Sequence, residues 1–162
     1  MVNELFYPTI FMFGVISVKL ETRDFGTMEI NEQDILIFPK GILAFEEYHR
    51  YVLIHYPHED ITPMWLQCAD NSALCFIVFD PFLFYKDYTP LISAADMAEL
   101  DATSREELRF FAIAVVPEDA KHSTINLKSP LVVNIKNNLA LQCILESDYP
   151  IRYPLFSEKG VI

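Results

Sequence analysis

The stretch that decides the fold reads ALCFIVF at residues 73–79 and continues as DPFLFYKDY at residues 80–88. The first seven residues are apolar without polar alternation, which is typical of a central strand covered on both faces. The next nine begin with a proline-marked exit and carry four aromatic rings, more than a simple connection needs. Such a cluster beside charged residues is either a corner of the core or a docking surface for another protein.

Short strand-like segments lie on both sides of this run. We predict strands at residues 15–23, 27–30, 35–38, 51–56, 64–68, 108–116, 122–127, 130–136 and 139–145. Helical turns are expected at residues 44–49 and 104–107, and a short helix at residues 94–100, capped by Ser93 and Asp96. Because these helical segments are too few to connect parallel strands, the predicted fold class is all-β. We expect a small antiparallel β-barrel-like (pseudo-barrel) domain with one or two short helices.

The composition indicates a single acidic domain. A chain of 162 residues with 52% hydrophobic residues can build one core but is short for two domains. Its 23 acidic and 12 basic residues give a formal net charge of −11, and no basic cluster stands out. Such a chain repels phosphate backbones, so no direct nucleic-acid binding is expected. A basic protein, or a partner whose RNA site this chain could obstruct, fits the charge better.

The N-terminal segment and the cysteines indicate a cytoplasmic protein. Residues 5–18 are largely apolar, but Glu4 precedes them and Pro8 interrupts them, so we predict no signal peptide. The segment is also shorter than the roughly 20 apolar residues that a membrane span needs. Three cysteines without a Cys-x-x-Cys pair favour free thiols in a reducing compartment.

No pattern in the sequence predicts catalysis, a cofactor or a metal. The four histidines lie outside any recognisable catalytic signature, and the four glycines form no phosphate-binding loop. His55 and His58, with the acids at 59 and 60, span a strand end and a proline turn that does not aim them at one point. We interpret this segment as a solvated loop, and the paired acids elsewhere as loop or helix-start residues.

Two features remain as candidates for function. The first is the aromatic stretch at residues 80–88. The second is an acidic run, interpreted as either a solvated helix face or a patch that steers a basic partner; its members are Asp96, Glu99, Asp101, Glu106 and Glu107.

Four ordered motifs resemble those of the FliW family of flagellar assembly factors. They are FGTMEI at 25–30, IFPKGILAFE at 37–46, DPFLFYKDY at 80–88 and STINLKSPLVVN at 123–134. The resemblance covers roughly residues 15–156, which we expect to form one FliW-like β-barrel domain. Residues 1–14 would be an N-terminal extension outside the family match, and residues 157–162 a C-terminal tail. Ile125 and Ser129 stand where many members of the family carry alanine.

The resemblance implies a cytoplasmic regulator that is not an enzyme and has two competing protein partners. One partner is flagellin, bound through its C-terminal region before export. The other is the carbon storage regulator CsrA, an RNA-binding repressor of flagellin translation, which FliW antagonises when export has removed flagellin. Accumulated flagellin would occupy FliW and leave CsrA free to repress.

From the motifs and the charge we predict the residues at or under a partner surface. They are Phe82, Tyr85, Lys86, Asp87 and Tyr88, with Asn126, Leu127 and Pro130, and, in the acidic run, Glu106 and Glu107. An alternative is a small barrel that binds a flavin-like or other small ligand at a mouth lined by Trp65, Phe76 and Phe82.

Overall fold

The computed structural model describes residues 16–55 and 63–156, so the expected extension at 1–14 and tail at 157–162 lie outside the described residues. Within these ranges the chain forms one α-helix, α1 (Ala94–Glu99), and a set of short strands. The strands are β1 (Ser17–Thr22), β2 (Gly26–Asn31), β3 (Ile35–Ile37), β4 (Arg50–Ile54), β5 (Met64–Cys68), β6 (Cys75–Phe79), β7 (Leu108–Val115), β8 (Thr124–Ile125), β9 (Leu131–Asn134), β10 (Ala140–Gln142) and β11 (Tyr153–Pro154).

The main sheet is antiparallel and has the predicted apolar run at its centre. Its order is β10-β9-β7-β6-β5-β4-β3, so β6 lies in the middle. Every side chain of β6 is partly or fully buried, as expected for a central strand. The two ends of the sheet meet through one bridge, between Ile37 and Leu139, rather than through a ladder. The all-β prediction is therefore confirmed, with a barrel that is not fully closed.

A separate hairpin, β1–β2, covers one side of this sheet. Leu20 and Ile30 point from the hairpin into a buried cluster with Val52 and Ile54 of β4. The hairpin turn contains Gly26 at φ +66°, a conformation that glycine adopts without a steric cost. Burial of these apolar side chains holds the hairpin on the sheet.

Strand β7 organises the part of the molecule that carries the sequence motifs. Its first half pairs with β9 and its last two residues pair with β8. Ile125 of β8 pairs with Ala114, and Leu131 of β9 pairs with Phe111. These partners are six residues apart on the β8–β9 side but only three apart along β7. Residues 126–130 therefore leave the ladder as a loop, and this loop carries the predicted site residues of the fourth motif.

The helix prediction is confirmed at α1 and wrong at residues 44–49. The hydroxyl of Ser93 accepts a hydrogen bond from the Asp96 N–H, as the capping pattern predicts. Residues 44–49 instead form turns, because Ala44 has φ +70° and Ile42 forms a bridge with Phe45. A left-handed residue interrupts helical hydrogen bonding at its first turn.

The sequence predicted no strand after residue 145, but the structure contains a short one there. Tyr153 and Pro154 of β11 pair with Ile125 and Thr124 of β8. Most predicted strands are present but shorter than expected; β5 matches its prediction in full. Among the described residues, no helix has both the length and the apolar character that crossing a membrane requires.

Candidate partner-binding surface

The stretch at residues 80–88, called here the aromatic corner, is built by a capped 3-10 turn. The turn spans Pro81–Leu83, and the carboxylate of Asp80 accepts a hydrogen bond from the Phe82 N–H at 2.9 Å. Proline suits the first position because it has no N–H to leave unsatisfied and its φ is already helical. The turn thus fixes the direction in which the following rings leave the end of β6.

The rings of the corner form one connected cluster, in which most pairs pack edge to face and the Phe82–Tyr88 pair is tilted. Phe82 lies 5.4 Å from Tyr88 and 5.7 Å from Phe110 of β7, measured between ring centroids. On the other side, Tyr149 lies 4.8 Å from Tyr88 and 5.9 Å from Tyr85. Edge-to-face pairs add stability beyond the burial of their area. The corner is therefore a rigid base, held between β7 and Tyr149.

The corner is a core element on its inner side and a free surface on its outer side. Phe84 and Tyr88 are buried, and the exposed fraction of Tyr88 is only 2%. Phe82 and Leu83 are 40% and 45% exposed, and Lys86 and Asp87 are exposed beside them. The two interpretations of the sequence thus apply to opposite sides of the same turn.

The loop at residues 126–130 packs against the corner and is fixed by its own hydrogen bonds. The side-chain oxygen of Asn126 accepts from the N–H groups of Lys128 and Ser129, at 3.0 and 2.9 Å. Leu127 and Pro130 are buried, while Asn126 is partly exposed. An asparagine that bonds its own backbone two and three residues on is a common way to stabilise a turn.

One hydrogen bond joins the corner to this loop. The Tyr88 hydroxyl donates to the Leu127 carbonyl at 2.8 Å, and both residues are buried. Burial raises the pKa of the Tyr88 phenol, so the donor stays protonated at physiological pH. Tyr88, Leu127 and Pro130 therefore support the surface from beneath, and Phe82, Tyr85, Lys86, Asp87 and Asn126 reach its partly or fully exposed side.

The two acidic candidates beside the corner have different environments. Glu106 is exposed, and hydrogen bonds from its own N–H and from Ser104 lower its pKa. The side chain of Glu107 is only 8% exposed and accepts from Lys136 Nζ at 2.7 Å. Thr103 donates to it twice, from its N–H at 2.9 Å and its hydroxyl at 2.8 Å. The expected solvated position of Glu107 is therefore wrong.

Glu107 is expected to make the fold sensitive to acid. Its bond with Lys136, followed by those with Thr103, lowers its pKa to about 2. Because the pKa is lower in the folded state, the stabilisation is complete above about pH 4.5 and is lost as the pH falls towards 2. We expect Glu107→Gln to flatten the decline in the free energy of unfolding over this window, measured by urea denaturation. Glu118→Gln, at an exposed site, is the control and should leave the slope unchanged; equal slopes for both variants would contradict the prediction.

Two other members of the acidic run also make local contacts. Glu99 forms an ion pair with Lys40 at 2.6 Å, and the carboxylate of Asp96 accepts from the Ser93 hydroxyl at 2.8 Å. Exposed contacts of this kind contribute little to stability. The positive charge of Lys40 does reduce the local excess of negative charge at Glu99.

The sequence interpretation missed the residues that complete the surface. Tyr149 and Tyr153, which follow the last predicted strand, pack on Tyr85, the latter at 5.2 Å between ring centroids. The repeated Tyr-Pro pairs at 149–150 and 153–154 were an available signal. Arg105 and Arg109 were missed as well; they line a recess together with Phe82.

The rings proposed for a small-ligand mouth lie in three different parts of the described residues. Trp65 packs edge to face on Phe25 beneath the β1–β2 hairpin. Phe76 lies in the central cluster with Tyr51, and Phe82 lies at the aromatic corner. The three rings belong to separate clusters, so the structure removes the basis for that alternative. Most of the His55–Asp60 segment lies outside the described residues. Among the described residues, no group of three or more side chains could hold a metal ion.

The fold and the candidate site define a small all-β protein with an incompletely closed antiparallel barrel and an aromatic corner on its outside. Comparison with known proteins identifies its family. The model of the FliW protein family matches residues 19–155. The chain belongs to this family of flagellar assembly factors. It is 38% identical to the flagellar assembly factor FliW of Caldanaerobacter subterraneus subsp. tengcongensis, over 87% of this chain and 95% of the relative.

Other relatives give the same result. Identity to the flagellar assembly factor FliW of Alkaliphilus metalliredigens is 39%, over 80% of each chain. A crystal structure of the flagellar assembly factor FliW superposes with a TM-score of 0.81 at 29% identity. The superposition covers 88% of this chain and 99% of the other. The all-β fold and the family therefore agree.

Proposed function

We propose that this chain is a non-enzymatic, cytoplasmic regulator of flagellar assembly that works by exchanging protein partners. It binds the C-terminal region of flagellin, and when flagellin is scarce it binds CsrA and relieves translational repression. The unit that does this is the single domain at residues 15–156. Neither activity requires direct contact with nucleic acid or with a membrane.

The observation that carries the proposal is the outer side of the aromatic corner. Phe82 and Leu83 present apolar surface on a base that the buried ring cluster and the Tyr88–Leu127 bond keep rigid. Rigid aromatic anchors bind with little loss of conformational entropy, and they are enriched where binding energy concentrates. Lys86, Asp87 and Asn126 supply a polar rim, and Glu106 adds an exposed negative charge that would slow the approach of RNA.

The direct test is binding followed by competition. We expect the purified chain to co-elute with the C-terminal region of its own flagellin and, in a separate experiment, with CsrA. Adding flagellin to the preformed CsrA complex should release CsrA. Failure to bind either protein at micromolar concentration in moderate salt would remove the proposal.

A matched pair of variants locates the surface. Leu83→Ser should weaken binding of at least one partner by about tenfold or more, because it removes an apolar anchor at the centre of the corner. Ile16→Ser removes an exposed apolar side chain next to the β1–β2 hairpin and should have no effect. Titration calorimetry with both variants measures the difference, and equal affinities would place the surface elsewhere.

A further inference from the structure

A recess beside the aromatic corner concentrates positive charge on this acidic chain. It has a volume of about 280 Å³ and is lined by Asp80, Phe82, Arg105, Arg109 and Phe110, among others. We call it the arginine recess. The net charge of the whole chain is −11, so two neighbouring guanidinium groups in one recess stand out from their surroundings.

Neither guanidinium forms an ion pair with a carboxylate of the described residues, although Arg105 helps to lower the pKa of the exposed Glu106 nearby. Arg105 donates to the Pro90 carbonyl and lies 5.2 Å above the ring of Phe110. Arg109 donates to the carbonyls of Glu106 and Leu108. These contacts orient the two side chains and leave further N–H donors, because each guanidinium has five.

The recess also contains one carboxylate, Asp80, so its two guanidinium groups leave an excess of one positive charge. The carboxylate of Asp80 is partly buried and engaged in capping the Phe82 N–H. The rings of Phe82 and Phe110 form an apolar wall, in edge-to-face contact with each other. The recess thus offers a flat cationic group and an aromatic surface side by side.

We propose that the arginine recess binds a peptide carboxylate with an apolar side chain next to it, supplied by a partner protein. Planar guanidinium groups match carboxylates in bidentate pairs, and the ring wall suits the apolar neighbour. The volume is below the roughly 300–1,000 Å³ of small-molecule pockets, which favours one or two side chains over a cofactor. This inference rests on the proposed function as a protein-binding regulator, and it assigns the chemistry that one partner presents at the edge of the corner.

The test uses three short peptides and the full-length chain labelled with ¹⁵N. The first is acetylated and amidated with the sequence Ala-Leu-Glu-Leu-Ala, and the second replaces its glutamate by glutamine. The third, acetyl-Ala-Leu-Leu, ends in a free carboxylate and shows whether a side chain or a chain terminus supplies the charge. We expect the glutamate peptide or the free-carboxylate peptide to shift the amide signals of Phe82 and residues 108–111, and the glutamine peptide to bind at least about threefold more weakly.

Variants separate the recess from a general charge effect. Arg109→Gln should weaken the carboxylate peptide by about threefold to tenfold, since it removes one charge-assisted contact without touching the Phe110 ring. Arg105→Gln should weaken binding of the same peptide. Lys19→Gln, which removes a positive charge on the β1–β2 hairpin, is the control and should leave the affinity for the peptide unchanged. Equal affinity for glutamate and glutamine peptides, unchanged binding in both arginine variants, or tighter binding of an RNA oligonucleotide at the same signals would overturn the assignment. No flagellin or CsrA enters this assay, so its failure is distinct from failure of the proposed function.

Discussion

Gly41→Ala is expected to destabilise the fold by about 3 kcal/mol or more, because the added methyl group meets backbone that cannot move away. A Cβ atom at Gly41 would lie 2.5 Å from Glu46 Cα and 2.7 Å from the Glu46 carbonyl oxygen. Gly41 also has φ +66°, where alanine costs about 1–2 kcal/mol by itself. Its N–H donates to the Phe38 carbonyl at 2.9 Å, so the turn cannot simply open.

Gly26 provides a matched control for this prediction. It has the same φ of +66°, but a Cβ atom there would meet nothing within 4 Å. Gly26→Ala should therefore lower the free energy of unfolding only by the cost of placing alanine in a left-handed conformation, about 1–2 kcal/mol. Urea denaturation followed by circular dichroism gives the free energy of unfolding of each variant, and similar m-values would show that the comparison is valid. A Gly41→Ala variant as stable as Gly26→Ala would contradict the steric argument.

The comparison explains why the IFPKGILAFE motif is compact rather than helical. Residues 44–49 have a helix-compatible composition, and the sequence interpretation predicted a helical turn there. The structure instead folds the chain back on Gly41, with Ala44 left-handed and Tyr48 donating its N–H to the Phe45 carbonyl. Helix propensity was overridden by the left-handed Ala44 and the close approach of Gly41 to Glu46, which hydrophobic periodicity does not report.

The predictable part of the fold is the part set by local pattern. The apolar run at the centre, strand β5 and the Ser93 cap of α1 all follow from periodicity and capping chemistry. The loop at 126–130 could not be predicted, because it arises from unequal pairing of β8 and β9 with one strand.

The candidate site was predictable in its residues but not in their exposure. The sequence placed Phe82, Tyr88 and Leu127 in one functional group, and the structure brings them together through the Tyr88 hydroxyl and the ring contacts. It could not show that Glu107 is buried, because its partner Lys136 is 29 positions away. Nor could it place Arg105 and Arg109 around Phe82, since that depends on how β7 lies beside the end of β6.

Gln67→Glu is expected to cost about 3–5 kcal/mol at neutral pH, because it would place an unpaired charge in the interior. Gln67 lies in β5 and is completely buried. Its amide oxygen accepts from the Arg23 N–H at 2.9 Å, which ties the β1–β2 hairpin to the sheet. Its amide nitrogen lies 3.0–3.3 Å from four backbone carbonyl oxygens, those of Cys68, Asn71, Ser72 and Leu74.

The introduced carboxylate would face these carbonyl oxygens with no hydrogen to donate. Protonation restores one donor, so we expect the pKa of the new carboxyl group to be raised in the folded state. Stability lost at neutral pH should then return as the pH falls towards the pKa of the unfolded chain, a trend opposite to that caused by Glu107. Measuring the free energy of unfolding of the variant and the native chain between pH 7 and about pH 4.5 tests both the size and the sign.

Gln142→Glu is the control that separates burial from the change of charge. Gln142 is partly exposed, and its amide oxygen accepts from the Leu43 N–H at 2.9 Å, a bond that a carboxylate keeps. Its amide nitrogen makes only a long contact with the Ser129 carbonyl, at 3.4 Å. We therefore expect a loss of about 1 kcal/mol or less at neutral pH. Equal losses of stability in the two variants would contradict the argument that burial among the four carbonyl oxygens sets the cost of a charge at position 67.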